Sequence, residues 1–126
     1  MNHIFLGLAG LSGFLSVALG AFGAHALKSR ISAEMMAIFQ TGNLYHQIHA
    51  VALLVVALMT QNSHHSAVIY AGWLFVAGTV VFSGSLYALA LTEIRILGAI
   101  TPIGGLAFLG GWGALVAAAF LSSPSA

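Results

Sequence analysis

Charged side chains are scarce in this sequence. Asp, Glu, Lys and Arg together make up 4% of its 126 residues, whereas a soluble domain carries roughly a quarter. Because so few charges cannot cover a surface that faces water, the sequence predicts a protein whose solvent is the lipid bilayer. The formal net charge of +1 provides no basic patch, and nucleic acid is therefore not expected among the partners.

Cysteine is absent altogether. Its absence excludes disulfide bonds, thiolate nucleophiles and thiolate metal sites, and it leaves the redox compartment undecided. Acidic residues number two, Glu34 and Glu93, and both fall in predicted connections between helices. Since no nucleophile, base and acid occur together in a recognisable set, we do not expect an enzyme.

Long apolar runs dominate what remains. Hydrophobic residues make up 60% of the chain, with a mean hydropathy of +1.05, and a spanning helix needs ~20 mostly apolar residues. Residues 1–126 form a single membrane domain with four expected spans, at about 4–27, 38–60, 68–91 and 97–121. The connections are short, so consecutive helices should be antiparallel, and lipid excludes open sheets. The predicted fold is all-α, an up-down four-helix transmembrane bundle.

Local residues predict where the second and fourth helices begin. Ser32 is a suitable N-cap for a second helix that begins near Ala33, with Glu34 in its first turn. In the fourth span, Pro102 either kinks a helix that begins at Leu97 or occupies the first turn of a helix that begins near Thr101. We slightly favour the start near Thr101.

Basic residues indicate the orientation. Lys28 and Arg30 lie between the first two spans, and Arg95 lies between the last two. By the positive-inside rule, the loops 28–37 and 92–96 should be cytoplasmic and both termini should lie outside the cytoplasmic (inner) membrane. A rival reading takes "GAHA" at 23–26 as a signal-peptide cleavage site, but a basic n-region is missing and the apolar run is long.

Glycine is abundant, with 15 residues. Spanning helices associate through close backbone approach and interhelical hydrogen bonds rather than through burial. Glycines in three of the four helices therefore predict a tight bundle without a wide pore. Trp73 and Tyr70 suit the outer membrane interface, whereas Trp112 is expected to pack among glycines. The glycines singled out for helix packing are Gly20, Gly23, Gly84, Gly104 and Gly105.

Polar residues interrupt the start of the second span. Asn43, His46 and His49 recur at helical spacing and should share one face, with Gln47 beside them. The first and third helices bring further polar side chains to the same half of the bundle, with charged loop residues below them. The predicted cluster draws on His25, Asn43, His46, Gln47, His49, Ser85 and Tyr87.

Three readings of this cluster stay open. It can be an interhelical hydrogen-bond network that fixes the helix register. It can be a proton-relay site, or a binding site for a polar headgroup or a quinone, because histidine titrates near neutral pH. It can also be a metal or haem site with His25, His46 and His49 as candidate ligands, although the HExxH spacing is missing. A weaker copper site is the amino terminus with His3. The sequence identifies no cofactor.

Four strings resemble one known family when they are read together. They are "GAFGAHALK" at 20–28, "FQTGNLYHQIHAVALL" at 39–54, "FSGSLYALAL" at 82–91 and "LGAITPIGGLAFLGGW" at 97–112. They resemble the DUF423 family of small bacterial membrane proteins, whose animal relatives are the transmembrane protein 256 group. The resemblance covers nearly the whole chain in the right order.

The resemblance implies a membrane-embedded protein and names no activity or substrate. Tyr45 joins the candidate site residues through it. Because the family pattern often has glutamine at the position of His46, His25 and His49 become the better candidate ligands. The other motif positions carried over are Gly23, Thr41, Gly42, Ser83, Gly84, Ser85, Tyr87, Thr101, Pro102, Gly104, Gly105 and Trp112.

Two functional hypotheses follow. The leading one is a small, non-catalytic structural or accessory subunit that packs against itself, as a homo-oligomer, or against a larger membrane complex. The alternative is a ligand-, proton- or metal-binding or transport protein that uses a cluster of His25, His49 and Tyr87. A structural network would pair each polar group within the protein, whereas a binding site would leave a cavity beside unpaired groups.

Overall fold

The computed structural model describes residues 2–62 and 65–121. The predicted turn 61–66, the tail 122–126 and the possible copper site at the amino terminus therefore lie partly or wholly outside the described residues. His3 itself is described and is exposed.

Among these described residues, four long helices cross the length of the molecule, and the predicted all-α bundle is confirmed. We name them α1 (His3–Leu27), α2 (Ala33–Gln61), α3 (Ser66–Thr92) and α4 (Leu97–Leu121), and each is long and apolar enough to cross a membrane. No strand occurs in the described part of the chain.

Two of the helices are interrupted by a π-helical turn. In α1, the α-helix Asn2–Val17 passes through a π turn at Ala18–Gly23 and resumes as Ala24–Leu27. In α3, the α-helix Ser66–Gly78 passes through a π turn at Thr79–Ser83 and resumes as Gly84–Thr92. Such turns concentrate at functional sites, and here both adjoin buried polar side chains.

Helix ends follow the local chemistry of the connections. The hydroxyl of Ser32 accepts a hydrogen bond from the backbone N–H of Met35 at 3.1 Å, so the predicted N-cap is confirmed. At the end of α3, Glu93 adopts a left-handed backbone conformation with φ of 57°. The Arg95 side chain, in the connection after α3, lies 3.3 Å from the Glu34 side chain in the first turn of α2. The connections after α1 and after α3 are therefore at the same end of the bundle.

The start of α4 differs from our preference. The helix begins at Leu97, and Pro102 lies inside it, so the favoured start near Thr101 is wrong. Proline in the second turn removes one backbone hydrogen bond, to the carbonyl four residues earlier. That carbonyl belongs to Gly98, and the rest of the helix continues without a break.

The helices are not packed equally. α2 lies between α1 and α3, and α3 also packs along α4. α1 meets α3 at one end only, where the Phe5 and Trp73 rings lie 5.1 Å apart between centroids and Phe5 covers Gly72. Beyond this contact α1 and α3 diverge, and a cleft opens between them above α2.

Candidate functional site

α2 carries three buried polar side chains on successive turns. Asn43, His46 and His49 are 7%, 5% and 4% exposed. Polar groups in an apolar medium are costly unless they have partners, so they face the interior of a bundle. The partners of these three side chains therefore determine what the site can do.

The Asn43 amide joins three helices. Its Nδ2 donates to the Ser16 carbonyl of α1 at 2.8 Å and to the Tyr87 hydroxyl of α3 at 3.1 Å. Its Oδ1 accepts from Gln47 Nε2 at 2.6 Å. A Cβ on Gly20 would lie 2.5 Å from this oxygen, so only glycine leaves room for the amide here. The Nδ2 donor of Asn43 therefore holds α1 and α3 to α2, and its acceptor is used by Gln47 of its own helix.

His46 extends this network towards α1. Its Nδ1 lies 2.9 Å from the Tyr87 hydroxyl oxygen. Because that oxygen already accepts from Asn43, the phenol proton is free to be donated to Nδ1, which leaves the imidazole N–H on Nε2. The backbone carbonyl of Ser12 in α1 also interacts with the ring. His46 therefore pairs with Tyr87, and the Tyr87 hydroxyl in turn links His46 to Asn43.

His49 belongs to a second network, directed towards α4. Its Nδ1 lies 2.8 Å from the Tyr45 carbonyl, and its Nε2 accepts from Trp112 Nε1 at 3.0 Å. A carbonyl can only accept and an indole N–H can only donate, so the ring is neutral with its proton on Nδ1. The ring also stacks on Phe108, with centroids 3.6 Å apart and planes 8° from parallel. Both ring nitrogens of His49 are thus occupied.

The structure separates the histidines that the sequence groups together. His46 turns to α1 and α3, His49 turns to α4, and His25 is exposed near the end of α1. Within residues 2–62 and 65–121, no hydrogen bond or ring contact brings His25, His49 and Tyr87 together, and no three His, Asp or Glu side chains are grouped to hold a metal ion. The geometry offers no built metal or haem site in that part of the chain.

The remaining predicted polar residues also tie helices together. Ser85 shares a hydrogen bond of 2.6 Å with the Thr101 hydroxyl of α4. The neighbouring Ser83 donates to the Gly42 carbonyl of α2 at 2.7 Å. Tyr45 uses its ring against Phe82, at 4.7 Å between centroids. The sequence does not indicate the hydrogen-bonding roles of the Ser16 carbonyl and the Trp112 indole, and Trp112 was expected only to pack among glycines.

The glycines predicted for packing differ in how closely a neighbouring helix approaches them. A Cβ on Gly104 would clash with the backbone of Phe82, whereas one on Gly105 would make ordinary contact with the same residue at 3.9 Å. Gly23 would reach Phe39 at 3.5 Å, but Gly84 has no atom within 4 Å. Within the described chain, Gly84 therefore meets no neighbour and faces the open cleft, and its packing role stays a prediction.

The cleft between α1 and α3 has a volume of about 370 Å³, which falls in the size range of small-ligand pockets. Its floor is α2, through His46 and Leu53, and Tyr87 borders it from α3. Leu11 and Val80 stand at its rim and are exposed, so the cleft opens to the lipid. The other apolar side chains of its walls are Leu8, Leu15, Leu19 and Val76.

Two hydroxyls in this cleft lack the partners that hydroxyls in helices usually find. Ser16, Thr60 and Thr92 donate to carbonyls three or four residues earlier, the usual solution in an apolar medium. Ser12 and Thr79, both half-buried, line the cleft and make no hydrogen bond through their hydroxyls in the described part of the chain. The cleft therefore offers two unused hydroxyl groups, and none of the described residues that line it is charged.

The fold and this interior define a class, a small all-helical protein that crosses the membrane several times. Its family follows from comparison with known proteins. A family model described as "Protein of unknown function (DUF423)" matches residues 19–105, and the chain belongs to this family, as its four motifs indicated.

Curated relatives agree with this assignment. The chain is 48% identical over 117 residues to the UPF0382 membrane protein YwdK of Bacillus subtilis (strain 168), covering 92% of this chain and 95% of the relative. It is 41% identical over 118 residues to the UPF0382 inner membrane protein YgdD of Escherichia coli (strain K12), covering 94% and 90%. No solved structure matches the chain. The chain is thus a small integral, multi-pass membrane protein.

Proposed function

We propose that this protein is a non-catalytic structural or accessory subunit of the cytoplasmic membrane that packs against copies of itself or against a larger membrane complex. The observation that carries the proposal is an unused small-residue surface on α1 and α2. Small residues on spanning helices let a second helix approach closely.

Two adjoining shallow grooves form this surface, with volumes of about 340 and 360 Å³. Gly13 and Ala50 line both grooves, and Gly10 lines one of them. A Cβ on Gly10 or Gly13 would meet no atom within 4 Å. By contrast, Gly72 and Gly111 are covered by phenylalanine rings of neighbouring helices. The chain thus carries glycines that serve its own packing and glycines that remain free for a partner helix.

The use of the interior polar groups supports a non-catalytic role. Asn43, His49 and Ser83 each make a hydrogen bond to another helix. Their hydrogen-bonding groups therefore stabilise the bundle. The two carboxylates, Glu34 and Glu93, are exposed at the end of the bundle. No pairing of a nucleophile with a base is found among the described side chains.

The proposal includes an orientation. The Arg95–Glu34 ion pair joins the connection after α3 to the first turn of α2, so the connections after α1 and after α3 lie at one end of the bundle. Since these connections also hold Lys28 and Arg30, we place that end in the cytoplasm. In intact cells, a Lys28→Cys variant should resist a membrane-impermeant maleimide and become labelled only after lysis. Labelling of intact cells would reverse the orientation.

Cysteine cross-linking tests the packing surface directly, because the chain has no cysteine of its own. Gly13→Cys puts a thiol in the groove, and Gly113→Cys is the matched control, since a Cβ at Gly113 also meets no atom within 4 Å. After addition of an oxidant to native membranes, Gly13→Cys should yield a disulfide-linked dimer or a heavier adduct with one defined partner. The control should stay monomeric.

A variant that fills the α1–α2 groove provides a second test of the packing surface. Gly13→Leu should shift the native-gel mobility of the protein to that of a smaller species, and Gly113→Leu should not. If Gly13→Cys forms no cross-link and Gly13→Leu migrates like the wild-type protein, the α1–α2 surface faces only lipid, and the subunit role fails.

A further inference from the structure

The cleft between α1 and α3 is distinct from the surface proposed for packing, because it lies on another face of α1. Its floor residue His46 lies near the middle of Ala33–Gln61, and Thr79 lies near the middle of Ser66–Thr92. The polar floor is therefore close to the bilayer midplane. The charged end of the bundle, marked by Arg95 and Glu34, is half a span away.

Depth restricts what can reach this floor. The hydrocarbon core is about 30 Å thick, so a phosphate or glycerol ester at the interface stands roughly 15 Å from the midplane. A charged group at the midplane is also costly, and no charged side chain lines the cleft to offset that cost. A phospholipid headgroup is thus excluded from the floor, whereas a neutral molecule dissolved in the lipid can occupy it.

The unused groups specify the chemistry of the occupant. His46 and Tyr87 are already paired with one another, and the free polar atoms are the hydroxyls of Ser12 and Thr79. A carbonyl oxygen accepts from such hydroxyls and brings no proton of its own to place. An alcohol would add a further donor to a floor whose other side chains already have partners.

We propose that this cleft binds a neutral, lipid-soluble ring carbonyl compound on an apolar chain, of the isoprenoid quinone type. Its carbonyl oxygens accept hydrogen bonds from Ser12 and Thr79, and its ring and chain lie between the leucines of α1 and the valines of α3. Gly84 completes the site, because it lines the cleft and leaves open space where any side chain would stand. The proposal concerns binding alone and does not depend on the packing of α1 against a partner.

A photoaffinity experiment tests it on the full chain in phosphatidylcholine nanodiscs. The probe is a benzoquinone with a short diazirine-bearing alkyl chain, and the competitors are decyl-benzoquinone, 1-decanol and decane. Gly84→Leu projects a side chain into the cleft from a position whose Cβ would meet no atom within 4 Å, and Gly113→Leu is its matched control on α4. Ser12→Ala and Thr79→Val remove the hydroxyls with little change of shape. Thermal unfolding of each variant reports whether it is folded.

We expect labelled peptides from α1 and α3, loss of labelling in Gly84→Leu and wild-type labelling in Gly113→Leu. Decyl-benzoquinone should compete, and decanol and decane should not. The combined Ser12→Ala and Thr79→Val variant should bind the probe about tenfold more weakly, the factor appropriate to two net hydrogen bonds.

Several outcomes would overturn the proposal. Competition by decane equal to that by decyl-benzoquinone would mean that the cleft holds any alkyl chain. Preference for decanol would assign the site to an alcohol. Unchanged affinity in the folded Ser12→Ala and Thr79→Val variant would remove the hydroxyls from the site, even if Gly84→Leu proved unstable.

Discussion

His46 and His49 lie three residues apart on one helix, yet their surroundings differ. His49 has both nitrogens bonded and its ring stacked on Phe108. His46 is equally buried, but one side of its site is the cleft floor. His49 thus makes a fully packed contact with α4, whereas His46, on the same helix, borders an open cleft.

The difference is explained by the neighbours rather than by the histidines. α3 and α4 approach each other closely because Gly78, Gly104 and Gly111 face Phe108, Phe82 and Phe75. α1 has no equivalent fit against α3 beyond the contact of Phe5 with Gly72. Close glycine–aromatic packing therefore holds α3 and α4 together, and its lack beside α1 leaves the cleft.

The largest expected effect separates the two histidines. His49→Ala should lower the free energy of unfolding by about 3 kcal/mol, because it empties a packed aromatic site and leaves the Trp112 N–H without a partner. His46→Ala should cost about 1 kcal/mol, the value of an interhelical hydrogen bond. Equilibrium unfolding in mixed micelles, followed by circular dichroism, measures both. Equal losses would mean that the two sides are packed alike.

Two adjacent glycines of α4, Gly104 and Gly105, test how tightly α3 and α4 are packed. Gly104→Ala should cost about 2 kcal/mol through overpacking, since its Cβ would clash with the Phe82 backbone. Gly105→Ala is the control, because its Cβ would make ordinary contact. The two variants should be compared by their unfolding midpoints in the same detergent. A tolerant Gly104→Ala would show that α3 and α4 can separate slightly at no cost.

The network beneath the cleft can be tested by removing one oxygen. Tyr87→Phe deletes the hydroxyl that links Asn43 to His46 and should cost about 1 kcal/mol. Tyr70→Phe is the control, because Tyr70 is 65% exposed and should be near neutral. The same unfolding experiment applies. No loss in Tyr87→Phe would mean that the amide and imidazole find other partners.

The smallest effect is expected at the end of the bundle. The Arg95 and Glu34 side chains are 71% and 62% exposed, and exposed ion pairs contribute little. Arg95→Ala should therefore change the unfolding free energy by less than about 0.5 kcal/mol, with little dependence on added salt. A loss comparable to that of Tyr87→Phe would indicate that the Arg95–Glu34 ion pair stabilises the fold.

Much of the fold could be predicted because the bilayer imposes it. Apolar runs and short connections were enough for four antiparallel helices, and Ser32 marked the start of α2. The start of α4 was misjudged because Pro102 is tolerated in a second turn as well as in a first. The signal at that site does not distinguish the two positions.

The arrangement of the site was harder to predict. Residues three apart in a helix differ by about 60° around its axis, so His46 and His49 share a face and still contact different neighbours. Hydropathy does not resolve which neighbour each one meets, because lipid and protein interior are similarly apolar. His25 was grouped with them by depth alone, and depth does not establish contact.

The π turn at Thr79–Ser83 determines which side chains of α3 contact the neighbouring helices. It contains one residue more per turn than an α-helix, and one residue corresponds to about 100° of rotation. The turn therefore corrects the phase of the helix, so that Phe75 before it contacts His49 and Tyr87 after it contacts His46. In this segment, loss of a single residue would change the partners of everything that follows, with almost no change in length.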